Sequence, residues 1–186
     1  MKIEVRSLSL PGPLLIRTTR MTDRRGYFWE TYARRDFAAA GLTNEFVQDN
    51  QSGSIAVGTV RGLHFQVPPA AQAKLVRVLT GKILDVVVDL RRSSAGYGRH
   101  VAIELSEEHT DQLFVPSGFA HGFCSLAPDT EVFYKVDAAY SPEHERGLNW
   151  ADPALGIQWP VTQSAAIVSE KDQMLPVLSD LPAYFE

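Results

Sequence analysis

Five residues of this chain have the types and placement to move protons: His64, Lys74, His121, Tyr134 and Asp172. In "TVRGLHFQVPPAAQAKLVRV" a histidine stands inside a strand-like run, and a lysine opens the next apolar run ten residues later. Titrating groups so close to a core need a partner or a reaction, because burying them unpaired is costly. His64 is either a hydrogen-bonded polar group at the rim of the core or a base that works near neutral pH. Lys74, opening the next apolar run, needs a partner or a part in chemistry for the same reason. Tyr134, in "EVFYKV", is either a packing residue with a satisfied hydroxyl or a general acid. Asp172, in "SEKD", either stabilises the first turn of a short helix or folds back to His64. In the second case it fixes the imidazole tautomer and raises its basicity.

These side chains must be held by strands. Alternation along the first run puts Gly62, His64 and Gln66 on one face and Arg61, Leu63 and Phe65 on the other. "KLVRVLTGKILDVVVDL" (74–90) reads as a hairpin, two β-branched runs about a Thr-Gly-Lys turn. Its second run places Leu84, Val86, Val88 and Leu90 on one face, with Asp85 and Asp89 on the other. Tyr134 shares a face with Val132 and Val136. "HVAIEL", "QLFVP", "HGFCSL" and "EVFYKV" follow at short intervals, broken by Gly, Pro, Ser and Asp. That spacing predicts a mostly β fold, an antiparallel sandwich or jelly-roll barrel with short peripheral helices. One helix is expected at "ARRDFAAAG", ended by Gly41, and another at "SEKD", with Ser169 as N-cap and Asp172 at the third position. The last fifty residues read as loops and short turns wrapped on the body. Such a barrel can hold a ligand inside, lined by the inward half of each strand.

The bulk properties narrow the class. A chain of 186 residues, 45% hydrophobic and 22% charged, is expected to form one domain over 1–186 with a sizeable core. A net charge of -4 argues against a surface that coats nucleic acid. Cys124 is the one cysteine, so no disulfide within the chain and no multi-cysteine metal site can form. That usage fits a reducing compartment. The start, "MKIEVRSLSLPGP", lacks an apolar core of signal-peptide length. No apolar run approaches the roughly 18 residues that span a bilayer. A soluble cytoplasmic protein with no nucleic-acid and no membrane partner is the expectation.

Pro116 and Gly118 in "PSGFAHGF" shape a turn that delivers His121 to the next strand. A Pro-x-Gly-x-x-His run resembles the second motif of the cupins. Metal-binding cupins supply His-x-His and then a glutamate from their first motif. Here that place reads His64-Phe65-Gln66, and no glutamate follows before Lys74. Two imidazoles are too few for the usual catalytic metal sites, so a cupin-like barrel with no metal and no cofactor is expected.

Seven blocks in order carry a closer resemblance: "DRRGYFWETY", "FVQDNQS", "VRGLHFQVPPAAQAKLVRV", "GKILDVVVDLR", "PSGFAHGF", "YKVDAAYSPEHERGLNWADP" and "IVSEKD". Together they resemble the dTDP-4-dehydrorhamnose 3,5-epimerase family of deoxysugar biosynthesis. The resemblance implies a metal-independent cupin jelly roll, a homodimer that shares N-terminal strands, and a dTDP-linked 4-keto-6-deoxyhexose as substrate. It implies that His64 removes the proton alpha to the C4 ketone, with Asp172 as its carboxylate partner. Lys74 would stand beside the enolate oxygen, and Tyr134 would return a proton from the opposite face. Arg25, Phe28 and Glu30, then Gln48, Asn50, Arg61 and His121, match positions that line the nucleotide-sugar site. An epimerase acting at C3 only or C5 only would carry the same residues. A non-catalytic nucleotide-sugar-binding cupin would lack at least one of His64, Lys74 and Tyr134. A metal-dependent cupin oxygenase would need further ligands that the sequence does not offer.

Overall fold

A computed structural model describes residues 2–186 of the chain. Strands dominate, as the alternating runs require. β1 (Ile3–Ser7), β2 (Leu14–Thr18), β3 (Arg20–Asp23) and β4 (Gly26–Trp29) precede helix α1 (Arg34–Ala39). β5 (Gln48–Ser54), β6 (Val60–Gln66), β7 (Lys74–Thr80) and β8 (Lys82–Asp89) follow. β9 (His100–Ser106), β10 (Asp111–Val115), β11 (Phe119–Ser125), β12 (Thr130–Val136) and the short β13 (Glu145–Gly147) complete the strands. Helix α2 (Glu170–Gln173) lies near the end of the chain.

The strands form two facing antiparallel sheets. One has the order β1-β2-β10-β7-β12-β5 and the other β13-β6-β11-β8-β9, while β3 and β4 pair as a separate ribbon. Neighbours that are far apart in sequence give the expected jelly-roll sandwich. Val76, Val78 and Val132 from one sheet meet Val87, Leu105 and Phe123 from the other and fill the space between them. Each such side chain contributes about 1.5–3 kcal/mol through burial.

Both outer faces are covered as well. Helix α1 lays Phe37 over Ile16 and Leu75 on the six-stranded sheet. The segment after β13 covers the five-stranded sheet, where Leu148, Trp150 and Leu155 pack on Leu63, Phe65 and Val86. Double cover explains why β8 is apolar on its outward face. It also explains why the face carrying Asp85 and Asp89, both with no exposed area, points to the interior.

The 74–90 segment is not a hairpin. β7 pairs with β10 and β12, whereas β8 pairs with β9 and β11 in the opposite sheet. Only Gly81 separates them, one residue fewer than the tightest common hairpin loop, so the chain turns the corner between sheets instead. The expected helices are both present. Gly41 follows α1 with φ +90°, and the Ser169 hydroxyl caps α2 by accepting from the Asp172 amide at 3.1 Å. Among the described residues no helix is long and apolar enough to cross a membrane.

Candidate active site

Between the sheets lies a cavity of about 510 Å³, bordered by Arg61 and His64 from β6, His121 from β11, Lys74 from β7, Tyr134 from β12 and Asp172 from α2. A polar annex of about 110 Å³ shares His64, Lys74 and Tyr134 with it and is walled by Gln48, Asn50 and Glu145. His64 belongs to the five-stranded sheet, while Lys74 and Tyr134 belong to the six-stranded one. The imidazole and the phenol therefore enter one space from opposite sides.

Local backbone sets these positions. His64 pairs with His121 across β6 and β11, yet Arg61 pairs with Phe123. Three steps on β6 thus match two on β11, a bulge that reverses the inside–outside order. Strict alternation puts Arg61 opposite to His64, but after the bulge both border the cavity. The strands approach closely here because Gly62 and Gly122 face each other. A Cβ on Gly62, whose φ is +122°, would stand 2.6 Å from the Gly122 Cα.

Each histidine is oriented by a carboxylate. His64 Nε2 lies 2.7 Å from Asp172 Oδ1, and Asp172 Oδ2 accepts the Gly62 amide at 3.1 Å. Burial alone would raise the Asp172 pKa. Hydrogen bonds from His64, the Gly62 amide and the Ser169 hydroxyl, with the His64 charge, hold it below the usual carboxylate range. With that carboxylate accepting from Nε2, the lone pair of a neutral His64 sits on Nδ1. His121 Nε2 lies 2.7 Å from Asp85 Oδ1 in the same manner.

Lys74 Nζ lies 3.5 Å from the His64 carbonyl oxygen and 6.0 Å from the centre of the Tyr134 ring. Burial pushes its ammonium down to about 8, against the opposing charges of Asp85 and Glu145. Burial likewise raises the Tyr134 phenol, with Arg61 pulling the other way. Arg61 is fixed by Ser54 Oγ at 3.2 Å and the Gly53 carbonyl at 2.6 Å. Among the described residues no three His, Cys, Asp or Glu side chains are gathered to hold a metal ion.

Of the residues expected from the sequence, His64, Lys74, Tyr134, Asp172, Arg61 and His121 border the main cavity, and Gln48 and Asn50 the annex. Arg25, Phe28 and Glu30 border neither. They lie in and beside the β3–β4 ribbon, where Arg25 pairs with Asp23 at 2.6 Å and Phe28 is 62% exposed. Three further residues emerge only in three dimensions. Asp85 is the buried anchor of His121. Lys171 and Glu145 pair at 2.5 Å beside the cavity and its annex. A carboxylate inside "LDVVVDL" signals a buried partner, but nothing local in the sequence says that the partner is His121.

Comparison with known proteins points to one family. The family model described as dTDP-4-dehydrorhamnose 3,5-epimerase matches residues 7–180. The dTDP-4-dehydrorhamnose 3,5-epimerase of Sinorhizobium fredii is 50% identical over 97% of this chain and 92% of its own. The Bacillus anthracis enzyme of that name, solved with TDP and PPi bound, is 45% identical with a TM-score of 0.91, covering 95% of this chain and 99% of the other. A Legionella pneumophila RmlC, solved in complex with dTDP-4-keto-L-rhamnose, is 36% identical with a TM-score of 0.92 and covers 98% and 96%. Sequence blocks, sheet topology and these matches agree over nearly the whole length: the chain is an isomerase that belongs to the dTDP-4-dehydrorhamnose 3,5-epimerase family.

Proposed function

We propose that this single domain inverts C3 and C5 of dTDP-4-keto-6-deoxyglucose, with His64 as base and Tyr134 as acid. The observation that carries the assignment is their entry into one cavity from opposite sheets. The C4 ketone acidifies the hydrogens on C3 and C5. His64 takes such a proton through Nδ1, while Asp172 orients the ring and stabilises the imidazolium. The electron pair moves to the C4 oxygen, and the Lys74 ammonium stabilises that enolate. Tyr134 then returns a proton to the other face of the carbon, which inverts it. A single group would return the proton to the side it came from. Each acid or base contributes about 10²–10⁴-fold. No step needs a cofactor.

The remaining residues serve binding. Arg61 and His121 border the space where the sugar and its phosphates enter, and Gln48 and Asn50 wall the annex. Arg25, Phe28 and Glu30 act across a homodimer. The β3–β4 ribbon exposes Met21, Tyr27 and Phe28, an apolar surface that a second copy would cover. In that dimer the ribbon closes the partner's cavity and supplies an aromatic platform and a cation for the thymidine diphosphate. Cys124 is buried, and burial lifts its thiol to about 11. It is inert to oxidation there, and the cytoplasm is the compartment we assign.

Solvent exchange tests the reading. The protein is given dTDP-4-keto-6-deoxyglucose in D₂O without a reductase, and the C3 and C5 protons are followed by NMR. Loss of both signals, abolished by His64→Ala, is expected. Loss at one carbon alone would make the chain a mono-epimerase, and binding without exchange would remove His64 and Tyr134 from catalysis.

A further inference from the structure

Gln66 stands two residues after His64 on β6, and both border the annex. Its side chain is an amide, and the residue is only 3% exposed. A buried amide needs fixed partners, and here all of them are backbone groups of connecting segments. Nε2 donates to the Ala70 carbonyl at 2.6 Å and to the Ala139 carbonyl at 3.2 Å. Oε1 accepts the Ser141 amide at 2.7 Å. Two carbonyls on one side and an N–H on the other allow the amide a single orientation. Ala70 lies in the connection from β6 to β7, which leads from His64 to Lys74. Ala139 and Ser141 lie in the connection from β12 to β13, which leaves the strand of Tyr134. Each connection crosses between sheets, since β6 and β13 belong to the five-stranded sheet and β7 and β12 to the six-stranded one. On the second crossing the chain is handed over between neighbours. Asp137 Oδ1 accepts the Ala73 amide at 2.6 Å, and the Ala138 carbonyl accepts from Gln72 at 2.6 Å, both at the entry to β7. The next residue, Ala139, is held by Gln66. One side chain thus joins both crossings at the end of the barrel where the annex lies.

We infer that Gln66 is a positioning residue that sets the span between His64 and Tyr134 across the cavity. The inference rests on the base and acid roles proposed above. Proton removal depends on His64 and Asp172, which are held together on β6 by bonds that Gln66 does not make. Proton return from the opposite face depends on where β12 stands relative to β6. Hydrogen bonds at the strand ends fix that separation through their narrow geometry, whereas apolar contact between the sheets is non-directional. Loosening the clamp therefore spares removal and impairs return.

The test compares wild type, Gln66→Met and Gln72→Ala on dTDP-4-keto-6-deoxyglucose in D₂O. NMR follows wash-out of the C3 and C5 protons and, in the same spectra, the inverted product, and thermal unfolding is measured beside it. Gln66→Met keeps the length of the side chain and removes all three bonds. Inversion is expected to fall about 10- to 100-fold, wash-out by less than about threefold, and KM to change by less than about twofold, the pattern of a displaced acid. Gln72→Ala cuts the grip on Ala138 from a half-buried residue. It should lower the ratio of inversion to wash-out by about three- to tenfold, and it decides the case if Gln66→Met does not fold. Equal losses of inversion and wash-out, or an unchanged ratio in a folded variant, would overturn the inference. A purely structural role lowers the unfolding temperature without separating the two rates. If wild type washes out neither proton, or Tyr134→Phe leaves inversion intact, the assignment of base and acid falls and the inference with it. If those controls behave as expected and the glutamine variants keep the wild-type ratio, the assignment stands without Gln66.

Discussion

His64 Nε2 and Asp172 Oδ1 lie 2.7 Å apart although 108 residues separate them in sequence. The bond engages Nε2 and leaves Nδ1 as the other ring nitrogen. Asp172→Asn should therefore lower kcat/KM about 100-fold while the substrate still binds, because the tautomer is no longer imposed. The stability effect has a defined sign. The folded-state pKa of Asp172 is depressed, so its contribution is present above the ordinary carboxylate range of about 4 and is lost as pH falls through the folded value. Unfolding midpoints of wild type and variant should differ at pH 7 and converge on acidification. A constant gap down to strongly acid pH would contradict the linkage.

Lys74 should limit activity from the alkaline side. Its ammonium titrates at about 8, and the neutral amine cannot stabilise an enolate. The kcat/KM profile, which reports the free enzyme, is expected to fall as pH rises through that value. Lys74→Met should cost about 10²–10³-fold in rate. The same change should stabilise the fold by about 1–3 kcal/mol at pH 7, because burial disfavours the charged lysine in the folded state. That advantage should shrink between about 8 and 10.5, where the unfolded chain holds a proton that the folded lysine has released. A rate profile flat to pH 10 would exclude this role.

Tyr134→Phe separates exchange from inversion. The variant keeps the base and the enolate stabiliser, so His64 can remove a proton and return a solvent deuteron to the same face. Inversion should fall about 10²–10³-fold, and wash-out in D₂O should fall less. Equal losses of both would mean that Tyr134 acts on binding or packing alone.

The ribbon makes a prediction about two subunits. Arg25→Ala should raise KM about tenfold without altering folding, since the Arg25 side chain is 85% exposed in the single chain. Mixing His64→Ala protein with Arg25→Ala protein under subunit exchange should restore sites in which one partner supplies a sound ribbon and the other a sound base. Recovery of wild-type KM in a fraction of sites is the expected kinetic signature. An absence of complementation in a verified mixed dimer would place Arg25 in its own subunit's chemistry or outside the site.

Much of this was legible in the residues. Alternation gave most strands, and the capping pattern located α2 with Asp172 in its first turn. The apolar face of β8 was also read correctly as a set. Alternation alone could not say that this face points outward, because that depends on a cover supplied by Leu148, Trp150 and Leu155. It misplaced Arg61 because a bulge is a property of two strands, and its second half lies around Gly122, far along the chain. It missed β5, whose "QDNQSGS" is polar on both faces. That strand is polar because its inner face walls the cavity and its annex, so the feature that hid it from periodicity is the feature that makes it useful.

The bond between α2 and β6 has one more consequence. A ribosome makes the strands that hold His64, Lys74 and Tyr134 well before it reaches Asp172. While the tail is still being synthesised, the imidazole has no carboxylate to fix it and the cavity has no wall on the α2 side. On the proposed assignment, activity would wait until the tail docks and brings Asp172 to His64. A chain that stops short of Asp172 would be a barrel with an untuned histidine, able to fold in part but not to turn over.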